Sequence, residues 1–170
     1  NPLENKFHSA QISEAEYIYG LASLIDSVDR YANTASVYGA FLKKLKKTAQ
    51  RELILEPLPI IDAPKGIVYN EDSNQLIQKI AGDVLYLDPP YNFRQYCANY
   101  HVLETIARYD NPTLKGKTGQ RDNSKQKSAF CSRTAVLSAF DDLIKNAQFK
   151  YIFLSYNNEG LMPLSAIKRI

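Results

Sequence analysis

The apolar run Val84-Leu85-Tyr86-Leu87 stops at Asp88-Pro89-Pro90-Tyr91, and this junction limits the folds open to the chain. A short, continuous apolar run bounded by Gly82-Asp83 and closed by two prolines predicts an inner strand of a parallel sheet. In open α/β sheets, ligands bind beyond the carboxyl ends of such strands. The strand therefore delivers a carboxylate, two rigid prolines and an aromatic ring to a ligand position. Proline fixes its own φ and restricts the residue before it, so Asp88 and Pro89 are held extended and their carbonyls have little freedom. A proline-bounded turn would account for the four residues alone. Asn92-Phe93-Arg94-Gln95-Tyr96, which adds amides, a guanidinium and two rings, favours a chemical site.

Such a cluster suits a poor nucleophile of one kind, the exocyclic amine of adenine, whose lone pair is delocalised into the ring. The Asp88 carboxylate and the Pro89 carbonyl can each accept one of its hydrogen bonds and draw it toward a tetrahedral shape. An in-line methylsulfonium then calls for positioning more than for a strong base. Tyr91 would stack on the base, with Phe93 or Tyr96 as a wall. A base inside a duplex must first be flipped out, at roughly a few kcal/mol.

Along the chain, Ser13 and Glu16 form a capping box, followed by Tyr17, Leu21, Leu24, Ile25 and Val28 on one helical face. A second helix is predicted from about Ser36 to Gln50, its lysines outward. Leu53-Ile54-Leu55 and Ile67-Val68-Tyr69 read as short strands either side of a proline-punctuated stretch. Asp72 precedes a helix carrying Leu76, Ile77 and Ile80, which it is placed to cap. A helix is predicted from about Ala98 to Tyr109, then a polar, basic loop from Thr113 to Ser128. Next come a helix capped by Ser132, with Val136, Leu137, Phe140, Leu143 and Ile144, and the strand Tyr151 to Tyr156. Asn157-Asn158-Glu159-Gly160 turns at the carboxyl end of that strand, on the side of Asp88. His101 is read as structural, a lone helical histidine that this chemistry does not need.

The net charge of +3 decides little, but its distribution does more. Between Arg30 and Arg51 there is no acid, while Lys43, Lys44, Lys46 and Lys47 crowd together. From Asn111 to Phe140, Lys115, Lys117, Arg121, Lys125, Lys127 and Arg133 face Asp122 alone. Both stretches suit a phosphate backbone. Cys97 and Cys131 have no metal spacing, so reduced thiols in a bacterial cytoplasm are expected, with no metal site. No stretch approaches the ~20 apolar residues of a membrane span.

Taken together, Asp83 through Tyr96, Asn99-Tyr100-His101, Leu103-Glu104, the Lys115-Gly116-Lys117-Thr118-Gly119 loop and Ala32 through Ala40 resemble the DPPY-type adenine-specific DNA methyltransferases. The similarity is to the Dam-like class that also serves type II restriction-modification systems. The resemblance implies an α/β fold, a partial Rossmann-like sheet dependent on S-adenosylmethionine with an inserted helical DNA-recognition module. Residues 1–51 would be the helical target-recognition segment and 52–170 the catalytic portion. It implies Asp88, Pro89, Pro90 and Tyr91 as catalytic, and Asp72 and Asp88 as cofactor-binding. DNA contacts would come from Asn33, Thr34, Lys43, Lys44, Lys46, Lys47, Asn92, Arg94, Gln95, Tyr96, Lys115, Lys117 and Arg121. Double-stranded DNA is the implied partner, alongside a cognate restriction endonuclease acting on the same site.

The family's glycine-rich cofactor loop, of Phe-x-Gly-x-Gly type, has no counterpart, since none of the seven glycines forms a Gly-x-Gly pair. A doubly wound sheet with a DNA-reading insert also needs roughly 250 residues or more. With no initial Met, the 170 residues read as a fragment lacking the N-terminal part of its catalytic domain. Two other readings follow from the same residues: an RNA base methyltransferase, or a non-catalytic DNA-binding polypeptide.

Overall fold

The computed structural model describes residues 2–35, 37–40 and 42–170. It is a mixed α/β structure with a small parallel sheet. Its residues form two compact units: 1–63 with 96–124, and 64–95 with 125–170.

In the second unit the apolar run becomes strand β1 (Ala81–Leu87), paired in parallel with β2 (Gln148–Leu154). The register runs from Ala81 opposite Gln148 to Leu87 opposite Leu154. A parallel pair needs a long crossover, and its last part is helix α6 (Val136–Asn146). The apolar face of α6 supplies Val136, Phe140 and Leu143 to a core with Ile77, Phe130 and Met162. Leu85 and Leu87 of β1 and Phe149 and Leu154 of β2 pack against that core. Val84, Tyr86, Tyr151 and Phe153 are exposed. Among the described residues β1 has one strand neighbour, so it is an edge of this two-stranded sheet and the expected inner strand is not seen.

Asp72 caps the short helix α3 (Ser73–Leu76), its Oδ1 accepting from Asn74 N at 2.9 Å and Gln75 N at 3.3 Å. The side-chain amide of Asn74 then donates to Ala139 O and Asp142 Oδ2 of α6, at 2.8 and 2.7 Å. Ser132 was expected to cap α6 and does not. The cap position is Ala135, and the Ser132 hydroxyl lies 3.1 Å from Thr134 Oγ1 instead. The last helix of this unit, α7 (Leu164–Ile167), buries Ala166.

The first unit begins with α1 (Pro2–His8) against α2 (Glu14–Tyr31), where the rings of Phe7 and Tyr17 stack at 4.7 Å. The capping box is formed as the sequence predicts: Glu16 N donates to Ser13 Oγ at 3.3 Å and Ser13 N to Glu16 Oε2 at 2.8 Å. The predicted helix from Ser36 to Gln50 is not formed. Ser36 and Phe41 lie outside the described residues, and the helical part of the remainder is one 3-10 turn, Thr48–Gln50. Local polar bonds supply the reason. Asn33 Oδ1 accepts from Lys46 N at 3.0 Å and Thr34 Oγ1 donates to Val37 O at 2.8 Å, and such side-chain bonds compete with helix.

The strands expected at Leu53–Leu55 and Ile67–Tyr69 are also absent, because neither run has a ladder partner among the described residues. Just past the first run the backbone bonds to α2: Glu56 N and Leu58 N donate to the buried Ser27 and Ser23 hydroxyls at 3.0 and 3.1 Å. The single helix predicted from Ala98 to Tyr109 divides at Tyr100 into α4 (Tyr96–Asn99) and α5 (His101–Arg108). No helix among the described residues is long and apolar enough to cross a membrane.

Leu143, 4% exposed in the core of the second unit, sets a test of this packing. Leu143→Ala is expected to lower unfolding free energy by about 2–5 kcal/mol, through lost burial and the cavity left behind. Urea titration followed by circular dichroism measures it.

Candidate active site

β1 hands over to the motif where its last carbonyl, Leu87 O, accepts from Ser155 N at 2.8 Å. Asp88, Pro89 and Pro90 then line a cavity of about 290 Å³ together with Tyr86, Leu87, Ser73, Ser128, Phe130 and Phe140. This is close to the lower end of small-molecule pockets, about 300 Å³, and the lining includes two phenylalanines. The Asp88 carboxylate is at an exposed position, so it can meet a ligand without the penalty of a buried charge. Tyr91 is not part of the lining and is exposed.

The segment after the motif is tied down along its length. Tyr91 O accepts from Leu161 N at 2.9 Å, which holds it to the turn after β2. In that turn Asn157 Oδ1 accepts from Glu159 N at 2.7 Å and Gly160 N donates to Asn157 O at 3.0 Å. A Cβ at Gly160 would lie 2.3 Å from the Tyr156 ring, so the turn closes only with glycine there. Asn92 Oδ1 accepts from Arg94 N at 2.9 Å, an Asx-type turn. The Gln95 amide exchanges two bonds with the Ser128 backbone: Ser128 N donates to Oε1 at 2.8 Å and Nε2 donates to Ser128 O at 3.2 Å. Phe93 and Arg94 are left pointing into solvent.

Asp72, expected both to cap and to reach a cofactor, caps as described; its neighbour Ser73 lines the cavity. Four cavity residues were not picked out from sequence: Ser73, Ser128, Phe130 and Phe140. A faint signal existed for two of them, since Ser128-Ala129-Phe130 places a capping hydroxyl two residues before the first aromatic of a long polar stretch. Ser128 Oγ accepts from Phe130 N at 3.2 Å and caps the 3-10 turn Ala129–Cys131.

In the first unit, Asn33, Thr34 and Lys46 bond among themselves: Asn33 bridges Lys44 O and Lys46 N, and Lys46 Nζ donates to Thr34 O. Lys43, Lys44 and Lys47 are exposed. Lys115 and Gln120 pair as an antiparallel bridge, with N to O distances of 2.8 Å both ways, and make a small hairpin. Gly116 and Gly119 take left-handed φ values of 71° and 64° there, a conformation that favours glycine. Lys115 and Lys117 are exposed on this hairpin, and Tyr96 is exposed at the start of α4, 6.0 Å from the Tyr100 ring.

Arg121 differs from these cations. It is 8% exposed and its guanidinium forks onto Asp110, at 3.0 and 2.5 Å. Asp110 lies between Tyr109 and Asn111, two non-glycine residues with φ of 46°, so the ion pair holds a strained entry to the hairpin. His101 is 1% exposed, as a structural residue should be. Its Nε2 lies 3.3 Å from Tyr38 O, while Nδ1 has no hydrogen-bond partner. Burial and then the Asp29 hydrogen bond, at 2.8 Å, hold the Tyr38 hydroxyl above its ordinary range.

Comparison with known proteins identifies the family of the chain. The family described as D12 class N6 adenine-specific DNA methyltransferase matches residues 3–170. The chain belongs to that family. Among its relatives, the Type II methyltransferase M.NlaIII of Neisseria lactamica is 53% identical over 169 residues, 99% of this chain and 50% of its own length. The Type II methyltransferase M.FokI of Planomicrobium okeanokoites is 48% identical over 160 residues, 94% of this chain and 25% of its own length. The Modification methylase StsI of Streptococcus sanguinis is 45% identical over 152 residues, 89% of this chain and 23% of its own length. The chain thus spans half or less of these family members. No solved structure matches it at a significant level.

The Asp110–Arg121 pair gives a pH-dependent expectation. Hydrogen bonding from Arg121, ahead of its charge, holds the Asp110 carboxyl below the usual carboxylate range. A lowered folded value contributes stability above the unfolded carboxyl value, about 3.9. That contribution disappears as pH falls through the lowered folded value. Arg121→Gln should therefore move the Asp110 titration midpoint upward, read by carboxyl-carbon NMR. An unmoved midpoint would mean that the fork does not exist in solution.

Proposed function

We propose that the protein carrying these residues transfers a methyl group to the exocyclic amine of adenine in duplex DNA, as the modification arm of a restriction-modification system. The observation that carries this reading is the placement of Asp88 and Pro89, at the carboxyl end of a parallel strand and in the lining of a cavity. The names of the relatives, type II methyltransferases and modification methylases, support the restriction-modification assignment.

S-adenosylmethionine, when bound, supplies a methyl group on a sulfonium as the electrophile. The cavity fits part of such a molecule: Phe130 and Phe140 offer apolar faces to a ring, and Ser73 and Ser128 offer hydroxyls beside them. Asp72 uses Oδ1 for the helix cap, and we assign its other oxygen to a cofactor hydroxyl or amine. Asp88 and the Pro89 carbonyl accept the two amine hydrogens of adenine, so its lone pair points away from the ring plane. On accepting the methyl group the amine would give up one proton, for which the exposed Asp88 carboxylate would be the route to water. Tyr91, outside the cavity, stacks on the flipped base.

The sheet on this reading is part of a larger Rossmann-like one, residues 52–170 forming the catalytic portion and 1–51 the target-recognition segment. Exposed Lys43, Lys44 and Lys47 bind phosphates, with Lys115 and Lys117 from the hairpin. Asn33, Thr34 and Lys46 shape the recognition loop through their mutual bonds. Asn92, Arg94 and Tyr96 remain candidates for contact with DNA. Arg121 serves the hairpin from inside rather than touching DNA, because its guanidinium is already committed to Asp110. A cognate endonuclease and a bacterial cytoplasmic setting complete the proposal.

In the full protein, Asp88→Ala is expected to abolish adenine methylation while duplex binding persists, measured by tritiated methyl transfer and by anisotropy. Near-normal turnover would remove Asp88 from the chemistry, and transfer to structured RNA but not to duplex DNA would replace the substrate. Changing Lys43, Lys44 and Lys47 together to Ala should weaken duplex binding and flatten its log-log salt dependence. The expected change in slope is roughly 0.9 per lost phosphate contact. The methylated sequence should stay the same, since phosphate contacts position and base contacts specify.

A further inference from the structure

Gln95 stands among residues that the sequence offers for DNA contact, yet its amide is spent inside the protein. Its two bonds to the Ser128 backbone, 2.8 Å at N–H and 3.2 Å at the carbonyl, reproduce the exchange between paired residues of an antiparallel ladder. A second bond runs alongside: Cys131 Sγ lies 3.4 Å from Arg94 O. Between these two points Ser128 Oγ caps the turn that carries Phe130. The segment just after the motif and the turn 128–131 are therefore zipped together, and that turn supplies two cavity residues, Ser128 and Phe130.

We propose that Gln95 is a positioning residue that holds Ser128 and Phe130 as the wall of the Asp88 cavity, and so sets affinity for the methyl donor rather than for DNA. This rests on the methyl-transfer reading above. Without the amide, the Ser128 N–H loses its protein partner and the Ser128 carbonyl keeps only Cys131 N, at 3.2 Å, with water as the competing partner after Lys127. Phe130 is 7% exposed and belongs to the core, so the turn would stay attached through its ring. The loss is then a loosened wall and not an unfolded unit.

The test uses the full protein with Gln95→Ala and Gln95→Glu. S-adenosylmethionine affinity is read by calorimetry, the KM for donor and for duplex by methyl transfer, and the amides of 128–131 by hydrogen exchange. Gln95→Ala should weaken donor affinity and raise donor KM about tenfold, the scale of two modest hydrogen bonds. Duplex KM should stay unchanged, kcat should change much less than donor KM, and exchange should quicken at 128–131 alone. Gln95→Glu should fall between, because a carboxylate still accepts from Ser128 N–H but cannot donate to its carbonyl. It also carries the test by itself if the alanine variant does not fold. A raised duplex KM with unchanged donor affinity would make Gln95 a DNA-contacting residue and overturn the proposal, as would unchanged exchange at 128–131. Should the unaltered protein bind the donor but methylate no adenine, the methyl-transfer reading fails. Calorimetry and exchange still judge Gln95 in that case.

Discussion

The parallel pairing of β1 with β2 is the constraint from which the rest of the site follows. Because the two strands run the same way in register from Ala81 opposite Gln148 to Leu87 opposite Leu154, their carboxyl ends finish together. Asp88 and the turn after β2 are then neighbours by construction, and the bond from Leu161 N to Tyr91 O needs no further adjustment. Antiparallel pairing would have sent the second turn to the opposite end. The crossover that parallel pairing demands also brings α6 over the sheet, and Phe140 of α6 reaches both the core and the cavity.

Parts of this were legible in the residues, and the legible parts share a physical character. The capping box at Ser13, the cap at Asp72 and the strand ending at Leu87 are local: each is decided by residues within a few positions of one another. Asp88 could be assigned to a cavity because prolines and strand ends carry their geometry with them. What failed depends on partners distant in sequence. Leu53–Leu55 and Ile67–Tyr69 have the composition of strands, but a strand exists only with a ladder partner. The lysine-bearing stretch before Gln50 has helical spacing, but Asn33 and Thr34 offer its backbone other bonds.

The candidate site divides in the same way. Ser128, Phe130 and Phe140 come to Asp88 through the crossover and Ser73 from the helix before β1, with only the faint capping signal at Ser128 to announce any of it. Charge was a similarly partial guide. Lys43, Lys44, Lys47, Lys115 and Lys117 are exposed, whereas Arg121, in the same basic stretch, has a buried guanidinium whose partner Asp110 lies eleven positions earlier. A count of bases cannot separate a cation aimed at solvent from one that braces a loop.

The fit between Gly160 and the Tyr156 ring carries a consequence for how such sequences can drift. A side chain at 160 would displace a ring whose hydroxyl accepts from Met162 N at 3.2 Å, and with it the neighbouring amide that holds Tyr91 O. The two positions are thereby bound together, and because the backbone Asn157 O also lies 2.9 Å from the same Cβ, a smaller residue at 156 does not by itself make room at 160. A pair of residues outside the lining of the Asp88 cavity would then constrain which substitutions the segment 88–91 can survive.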